Sequence, residues 1–203
     1  MSATRYLLIT KVFSTEHHLQ KLATQWKSYI NSSANIYLNE NHNELIELKA
    51  INNPQDIFNK EEKTKKYNLI NELGSMLNSD FHQELLEFKE NVIPQKDILP
   101  NNNYLQLRHI EVPIKVIDNY SDWRNETIFQ HVKSLKNVDS FVAYHSLFST
   151  LPGVMFICNF SCEPSKYLLG FNNEDYKNII TQAGNKYIAG GKEGLYTKIY
   201  KKY

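Results

Sequence analysis

Asp139–Cys162 reads DSFVAYHSLFSTLPGVMFICNFSC. Two runs rich in aromatic and β-branched residues, Ser140–Phe148 and Val154–Phe160, flank Ser149-Thr150-Leu151-Pro152-Gly153. Runs of this kind around a Pro-Gly pair predict a β-hairpin. Each run is apolar on both of its faces. Val154, Phe156, Cys158 and Phe160 alternate with Met155, Ile157 and Asn159, and Phe141, Ala143, His145 and Leu147 alternate with Val142, Tyr144, Ser146 and Phe148. A sheet that is apolar on both sides must be covered on both sides. The hairpin is therefore expected at the centre of the fold, with helices on one face and a second sheet on the other.

Strand and helix periods extend the reading outward. Tyr104–Val112 reads as a strand before the hairpin, edged by Pro113. A helix Ser121–Lys133, capped by Asp118 or Ser121, carries Trp123, Thr127 and His131 on one stripe. After the hairpin, Glu163-Pro164 opens a helical region that reaches Tyr176, Ile179, Ile180 and Ala183, and Leu195–Tyr200 is the last strand. The N-terminal half has the same order. It runs from the strand Tyr6–Phe13 through a helix capped by Ser14 or Thr15, which bears Leu19, Leu22, Trp26 and Ile30 and ends at Asn31–Asn35. Strands Ile36–Leu38 and Glu44–Ile51 follow, then a helix from Asn53-Pro54 to about Leu77, broken near Lys60–Lys63, and a strand Glu84–Val92. Ile93–Asn103, with two prolines and three asparagines, is the best linker candidate.

The two halves can be laid over each other. Tyr6 and Tyr104 are 98 apart, Trp26 and Trp123 are 97 apart, Pro54 and Pro164 are 110 apart, and Tyr67 and Tyr176 are 109 apart. The longer second hairpin accounts for the jump. The spacing predicts a βαββαβ unit used twice, with units 1–95 and 104–203 joined by linker 96–103. Each unit makes a four-stranded antiparallel sheet with both helices on one face, so two bare faces are left to cover each other. The expected fold class is α+β: two tandem ferredoxin-like units whose sheets face each other as an α+β barrel.

This order of elements resembles the dimeric α+β barrel superfamily, and within it the antibiotic-biosynthesis monooxygenase-like proteins. The resemblance is carried by the Trp123 helix, the Ser140–Phe160 hairpin and Tyr176…Gln182-Ala183-Gly184 before the last strand. It implies one of several activities, since the superfamily includes cofactorless oxygenases, haem-degrading enzymes, isomerases and proteins without known catalysis. Haem-degrading relatives use a Trp, an Asn and a His, yet neither half has an Asn on its first strand where that pattern needs it.

The composition bounds the partners. Of 203 residues, 23 are Lys or Arg and 22 are Asp or Glu, scattered without a basic stripe, so nucleic acid is not expected. No apolar run approaches the ~20 residues of a membrane span. The apolar Tyr6–Phe13 run is followed by Glu16-His17-His18 rather than a small-residue cleavage site, so no signal peptide is expected. A cytoplasmic chain with Cys158 and Cys162 as free thiols is expected instead, with Cys158 buried and inert.

The candidate chemistry lies in the second half. His109 follows Leu105 and Leu107 on one strand face, and His145 follows Phe141 and Ala143 on another. If those faces line one cavity, two imidazoles converge there and can move protons. The alternative is a hydrogen-bonded core or rim histidine in each case. Arg108, on the opposite face from His109, is a candidate for binding an anionic ligand, and Trp123, His131, Tyr144, Phe156 and Asn159 are candidate lining residues. No Cys/His or His/carboxylate spacing suggests zinc. Gly190-Gly191 precedes a strand rather than a helix and reads as a connection, not a phosphate loop. The leading expectation is a small apolar or aromatic ligand, with oxidation of a quinol-like compound without a bound cofactor. The alternatives are a non-catalytic binding or assembly module, and haem bound through His109, His131 or His145. The tandem halves allow a monomer with an internal pseudo-dimer, or a homodimer.

Overall fold

The structure is a computed structural model and describes residues 3–30, 34–148, 153–190 and 194–203. The hairpin tip Ser149–Pro152, the helix end at Asn31–Ser33 and Gly191 lie outside the described residues. The first half runs β1 (Tyr6–Phe13), α1 (Leu19–Tyr29), β2 (Ala34–Asn39), β3 (Glu44–Ile51), α2 (Lys60–Leu73) and β4 (His82–Ile93). The second runs β5 (Tyr104–Ile110), α3 (Ile117–Glu126), α4 (Ile128–Ser134), β6 (Ser140–Ser146), β7 (Val154–Phe160), α5 (Pro164–Leu168), α6 (Glu174–Lys186) and β8 (Leu195–Lys202).

All eight strands close into one antiparallel barrel in the order β1-β3-β2-β8-β5-β7-β6-β4. Each half contributes four neighbouring strands in the same order of use, β4-β1-β3-β2 and β8-β5-β7-β6. Two seams join the halves. At one, β2 meets β8 through Tyr37↔Lys202 and Leu38↔Lys201. At the other, β4 meets β6 from Leu86↔Ser146 to Ile93↔Phe141, with register shifts that bend the longer β4 around the corner. Closure removes the sheet edges that two separate four-stranded sheets would expose.

Strand alternation then sorts the side chains into three layers. The barrel interior is packed by buried residues from both halves, among them Leu7, Ile9, Ile46, Leu48, Leu86, Leu105, Leu107, Val142 and Ile157. Two layers lie outside the barrel. Val12, Leu22, Trp26, Leu45, Leu69 and Leu73 fill the one under α1 and α2, and Phe129, Phe141, Phe156, Phe160, Tyr167 and Tyr176 fill the one under α3 to α6. The barrel end that carries β1 residue Lys11 is ionic. Lys11 Nζ donates to Glu84 at 2.6 Å, while Lys198 Nζ and the Tyr200 hydroxyl both donate to Glu44.

Several element boundaries differ from the periodic reading, each for a local reason. The helix expected over 121–133 starts earlier, at Ile117, and divides at Thr127. Neither Asp118 nor Ser121 caps it: the Ser121 hydroxyl bonds the Ile117 carbonyl, inside the helix. Thr127 has φ −118° and ψ −81°, and its hydroxyl turns back to the Trp123 carbonyl at 2.6 Å. The first helix begins at Leu19 rather than after Ser14 or Thr15, because the Thr15 hydroxyl bonds the His18 ring instead of a helical N–H. The Asn53-Pro54 helix is a short 3₁₀ segment, Pro54–Phe58, and Asn59 caps α2 by accepting from the Glu61 N–H. Leu147 and Phe148 fall outside β6. Gly190 has φ +77° in the turn before β8, where the Ala189 N–H meets the Glu111 carbonyl and the Gly194 carbonyl accepts from the Glu111 N–H. Among the described residues no helix is long and apolar enough to cross a membrane.

Candidate functional site

The alternation that builds the layers also separates the two histidines singled out in the sequence. On β5, His109 shares the interior face with Leu105 and Leu107, whereas on β6, His145 shares the helix-side face with Phe141 and Ala143. The two imidazoles therefore lie on opposite faces of one sheet and do not converge. His109 is 6% exposed and stacks on Tyr196 with ring centroids 4.5 Å apart. Its Nε2 lies 3.2 Å from Glu111, and its Nδ1 has no partner among the described residues.

His145 sits in a more suggestive place. It borders a cleft of about 330 Å³ between the Val112–Ile117 connection and the β6–β7 hairpin. The rest of the wall is mainly apolar: Val112, Ile114 and Ile117 from the connection, Leu147 and Phe148 from the hairpin. Ile114 and Phe148 are 72% and 76% exposed, an unusual outlay of large apolar side chains at the surface. His145 Nε2 accepts from the Arg124 guanidinium at 3.3 Å. Arginine only donates, so the neutral ring carries its proton on Nδ1. Burial, with Arg124 and Lys89 close by, pulls the imidazole down to about 4, so the ring is neutral near pH 7.

Arg124 connects the cleft to the layer beneath the helices. It stands on α3 one turn after Tyr120, is 3% exposed and pairs with Glu90 on β4. The rings of Tyr120, Phe129 and Phe156 surround its guanidinium at 5.7, 5.1 and 5.9 Å. On β5, Arg108 is 5% exposed, lies 4.0 Å from the Phe171 ring, and donates to Gln106 and to the Tyr176 hydroxyl. No carboxylate among the described residues pairs with Arg108. The Tyr167 hydroxyl lies 2.8 Å from Gln106 Oε1 and 3.1 Å from Cys158 Sγ. Burial pushes the Cys158 thiol up to about 12, so it is not a nucleophile here.

The remaining candidates divide between the layers. Phe156 and Trp123 lie on the helix side, where Trp123 packs against Tyr187 and Tyr120. His131 Nε2 donates to the Gly170 carbonyl at 2.8 Å. Tyr144 and Asn159 face the barrel interior. The Tyr144 hydroxyl donates to the Thr4 carbonyl and Asn159 Nδ2 donates to Ser140 Oγ. Sequence reading did not single out Tyr120, Arg124 or Glu90. Tyr120 and Arg124 are four apart, a spacing that would have put both on one helical stripe. The first half has its own polar cluster under its helices. There Trp26 Nε1 donates to Glu47 at 3.0 Å, Lys66 Nζ reaches Thr10 Oγ1 and Glu47, and a cleft of about 150 Å³ opens between Trp26, Glu47, Lys66 and Leu69.

The closed barrel of two ferredoxin-like units with helices outside is a fold that this chain shares with solved monooxygenase-like structures. Solved structures agree over nearly the whole length. An anthrone oxidase-like protein superposes with a TM-score of 0.73 at 12% identity, covering 100% of this chain and 94% of its own. A monooxygenase-like protein from Listeria innocua gives 0.55 at 11% identity, covering 97% and 94%. A heme-degrading enzyme from Listeria monocytogenes gives 0.55 at 10% identity, covering 97% and 98%. No family model and no curated protein matches the sequence.

Proposed function

We propose that this protein binds a small aromatic molecule in the cleft beside His145 and oxidises it with O₂ without a bound cofactor. One observation carries the reading: an apolar cleft with a single imidazole, held by a buried arginine–carboxylate pair, is how ligand sites are built, with few polar groups fixing orientation. The anthrone oxidase-like neighbour suggests the substrate class, a ring system with an enolisable or phenolic carbon. The reaction is then R₂CH₂ + O₂ → R₂C=O + H₂O. The substrate supplies both hydrogens and the electrons; one oxygen atom becomes the carbonyl and the other leaves as water.

His145 acts in this reading as a donor. Its Nε2 lone pair is taken by Arg124, so its Nδ1–H is the group free to hold a substrate oxygen. His109 is part of the barrel interior and takes no step. The chain closes its own barrel, so no partner copy is needed to complete it. Haem is the weaker reading, because Nε2 of His109, His131 and His145 already meets Glu111, the Gly170 carbonyl and Arg124 respectively.

The test is oxygen consumption with anthrone, whose methylene carbon is the one oxidised. Uptake equal to ketone formed is expected, falling about ten-fold or more in His145→Ala, in line with loss of one positioned donor. Uptake no faster than the buffer blank would leave a binding module without chemistry.

A further inference from the structure

We infer that the cleft beneath the two helices of the first half is a second ligand site, which takes a benzene-sized ring carrying an anionic group. It is independent of the cleft beside His145. Three observations carry it: what the other half places at the same positions, the charge around the cleft, and its size.

The duplication supplies an internal comparison. Thr10 and Arg108 are 98 apart, as are Tyr6 and Tyr104, and Glu47 and Phe156 are 109 apart, as are Tyr67 and Tyr176. The register agrees: Thr10 opposes Glu47 across β1 and β3, as Arg108 opposes Phe156 across β5 and β7. In the second half the rings of Phe129 and Phe141 close on Phe156 at 5.7 and 5.1 Å. In the first half the same place holds a carboxylate, Glu47, 4% exposed, on the floor of a cleft of about 150 Å³. A buried charge is seldom more stable than apolar residues filling the same space. The fold closes this layer with rings in one copy, so the open and charged version in the other is not a demand of the fold.

Charge selects the ligand. Three ammonium groups line the cleft, those of Lys49, Lys65 and Lys66, against two carboxylates, Glu47 and Glu62. Lys49 pairs with Glu62, and Lys66 lies 3.5 Å from Glu47. Lys65 is left with Glu61 in a pair whose side chains are 67% and 72% exposed, and a pair that open to water contributes little. Lys66 Nζ also reaches Thr10 Oγ1 at 3.1 Å; an ammonium has three donors, so one N–H of Lys66 remains for a ligand. An oxyanion between Lys65 and Lys66 gains charge-assisted bonds while every buried contact stays in place. Size sets the rest. A volume of about 150 Å³ takes a benzene-sized ring, and Tyr29, Ile30 and Leu69 give it an apolar wall.

The probes are benzoate and its neutral near-isostere benzamide, titrated calorimetrically at pH 7.5 into the full chain. Benzoate is expected to bind about ten-fold tighter, the scale set by one charge-assisted hydrogen bond. Lys66→Met keeps the stem and removes the ammonium, so benzoate affinity should drop about ten-fold while benzamide affinity stays. Lys65→Met touches only an exposed pair. Its melting temperature should match the parent, with benzoate affinity down about two- to five-fold. His145→Ala should bind benzoate as the parent does, which separates this site from the cleft in the second half. Equal affinity for the two probes, or no binding of benzoate, would overturn the inference. So would benzoate binding that His145→Ala abolishes, or that Lys65→Met leaves intact. The Lys65→Met result decides by itself if Lys66→Met, by stranding Glu47, melts too low to titrate.

Discussion

Glu44 tests whether the two halves are bound into one barrel across the β2–β8 seam. It belongs to β3 in the first half, is fully buried, and accepts from Lys198 Nζ and, at 2.9 Å, from the Tyr200 hydroxyl, both on β8 of the second. The seam itself has only two residue pairs in register, so this cluster is a large part of what spans it. Glu44→Gln keeps the shape and an acceptor for Tyr200 but leaves the Lys198 ammonium without its counter-charge. Removing one partner of a fully buried pair costs about 3–5 kcal/mol. The Lys198 side chain is 23% exposed and can relax towards water, which trims the expectation to about 2–3 kcal/mol. For a chain of this size that is a fall in Tm of about 4–12 °C. Urea unfolding should show a lower midpoint with the slope unchanged. Adding Lys198→Met removes the stranded charge, so the double variant should recover to within about 1 kcal/mol of the parent. If the double variant is instead destabilised by the sum of the two single effects, the groups are not coupled and the seam is held by something else.

Three further expectations follow from individual side chains. His145 is held near 4 in the folded chain and titrates near its ordinary value when unfolded, so the unfolded state binds the extra proton as pH falls from about 6.5 to 4. Stability should be complete above that window and decline through it, and His145→Asn should flatten the decline in urea midpoints measured from pH 7 to 4.5. With its thiol pushed up to about 12, Cys158 should be silent to a thiol reagent at pH 8 while the partly exposed Cys162 reacts, giving one thiol per native chain and two after denaturation. Trp26→Phe removes the indole donor from the buried Glu47 and should lower stability by about 1.5–3 kcal/mol, read from urea unfolding; a loss below about 0.5 kcal/mol would mean the bond is not maintained in solution.

The candidate site was less legible than the barrel that carries it. Period-two alternation puts His109 with Leu105 and Leu107, and His145 with Phe141 and Ala143, but it cannot say which of these faces turns inward. That choice depends on pairing β5 with both β7 and β8, and it sends the two imidazoles to opposite sides of the sheet. Arg124 carries no local signal, because its importance arises from Glu90 and His145, which are 34 and 21 residues away. The break at Thr127 was hidden for a different reason. A hydroxyl bond to a carbonyl four residues back leaves the hydrophobic period of the helix intact.

The sequence alone determined that there are two copies of one βαββαβ pattern and that the hairpin Ser140–Phe160 is covered on both faces, because strand period and apolar side chains are local properties of the chain. Tertiary structure decided how those copies close. Seams such as Leu86↔Ser146 and Tyr37↔Lys202 join residues distant in the chain, and a register shift of one residue would reverse every face. Which charges meet inside the barrel, and which guanidinium is left without a carboxylate beneath the helices, follow from that closure and from nothing nearer in the sequence.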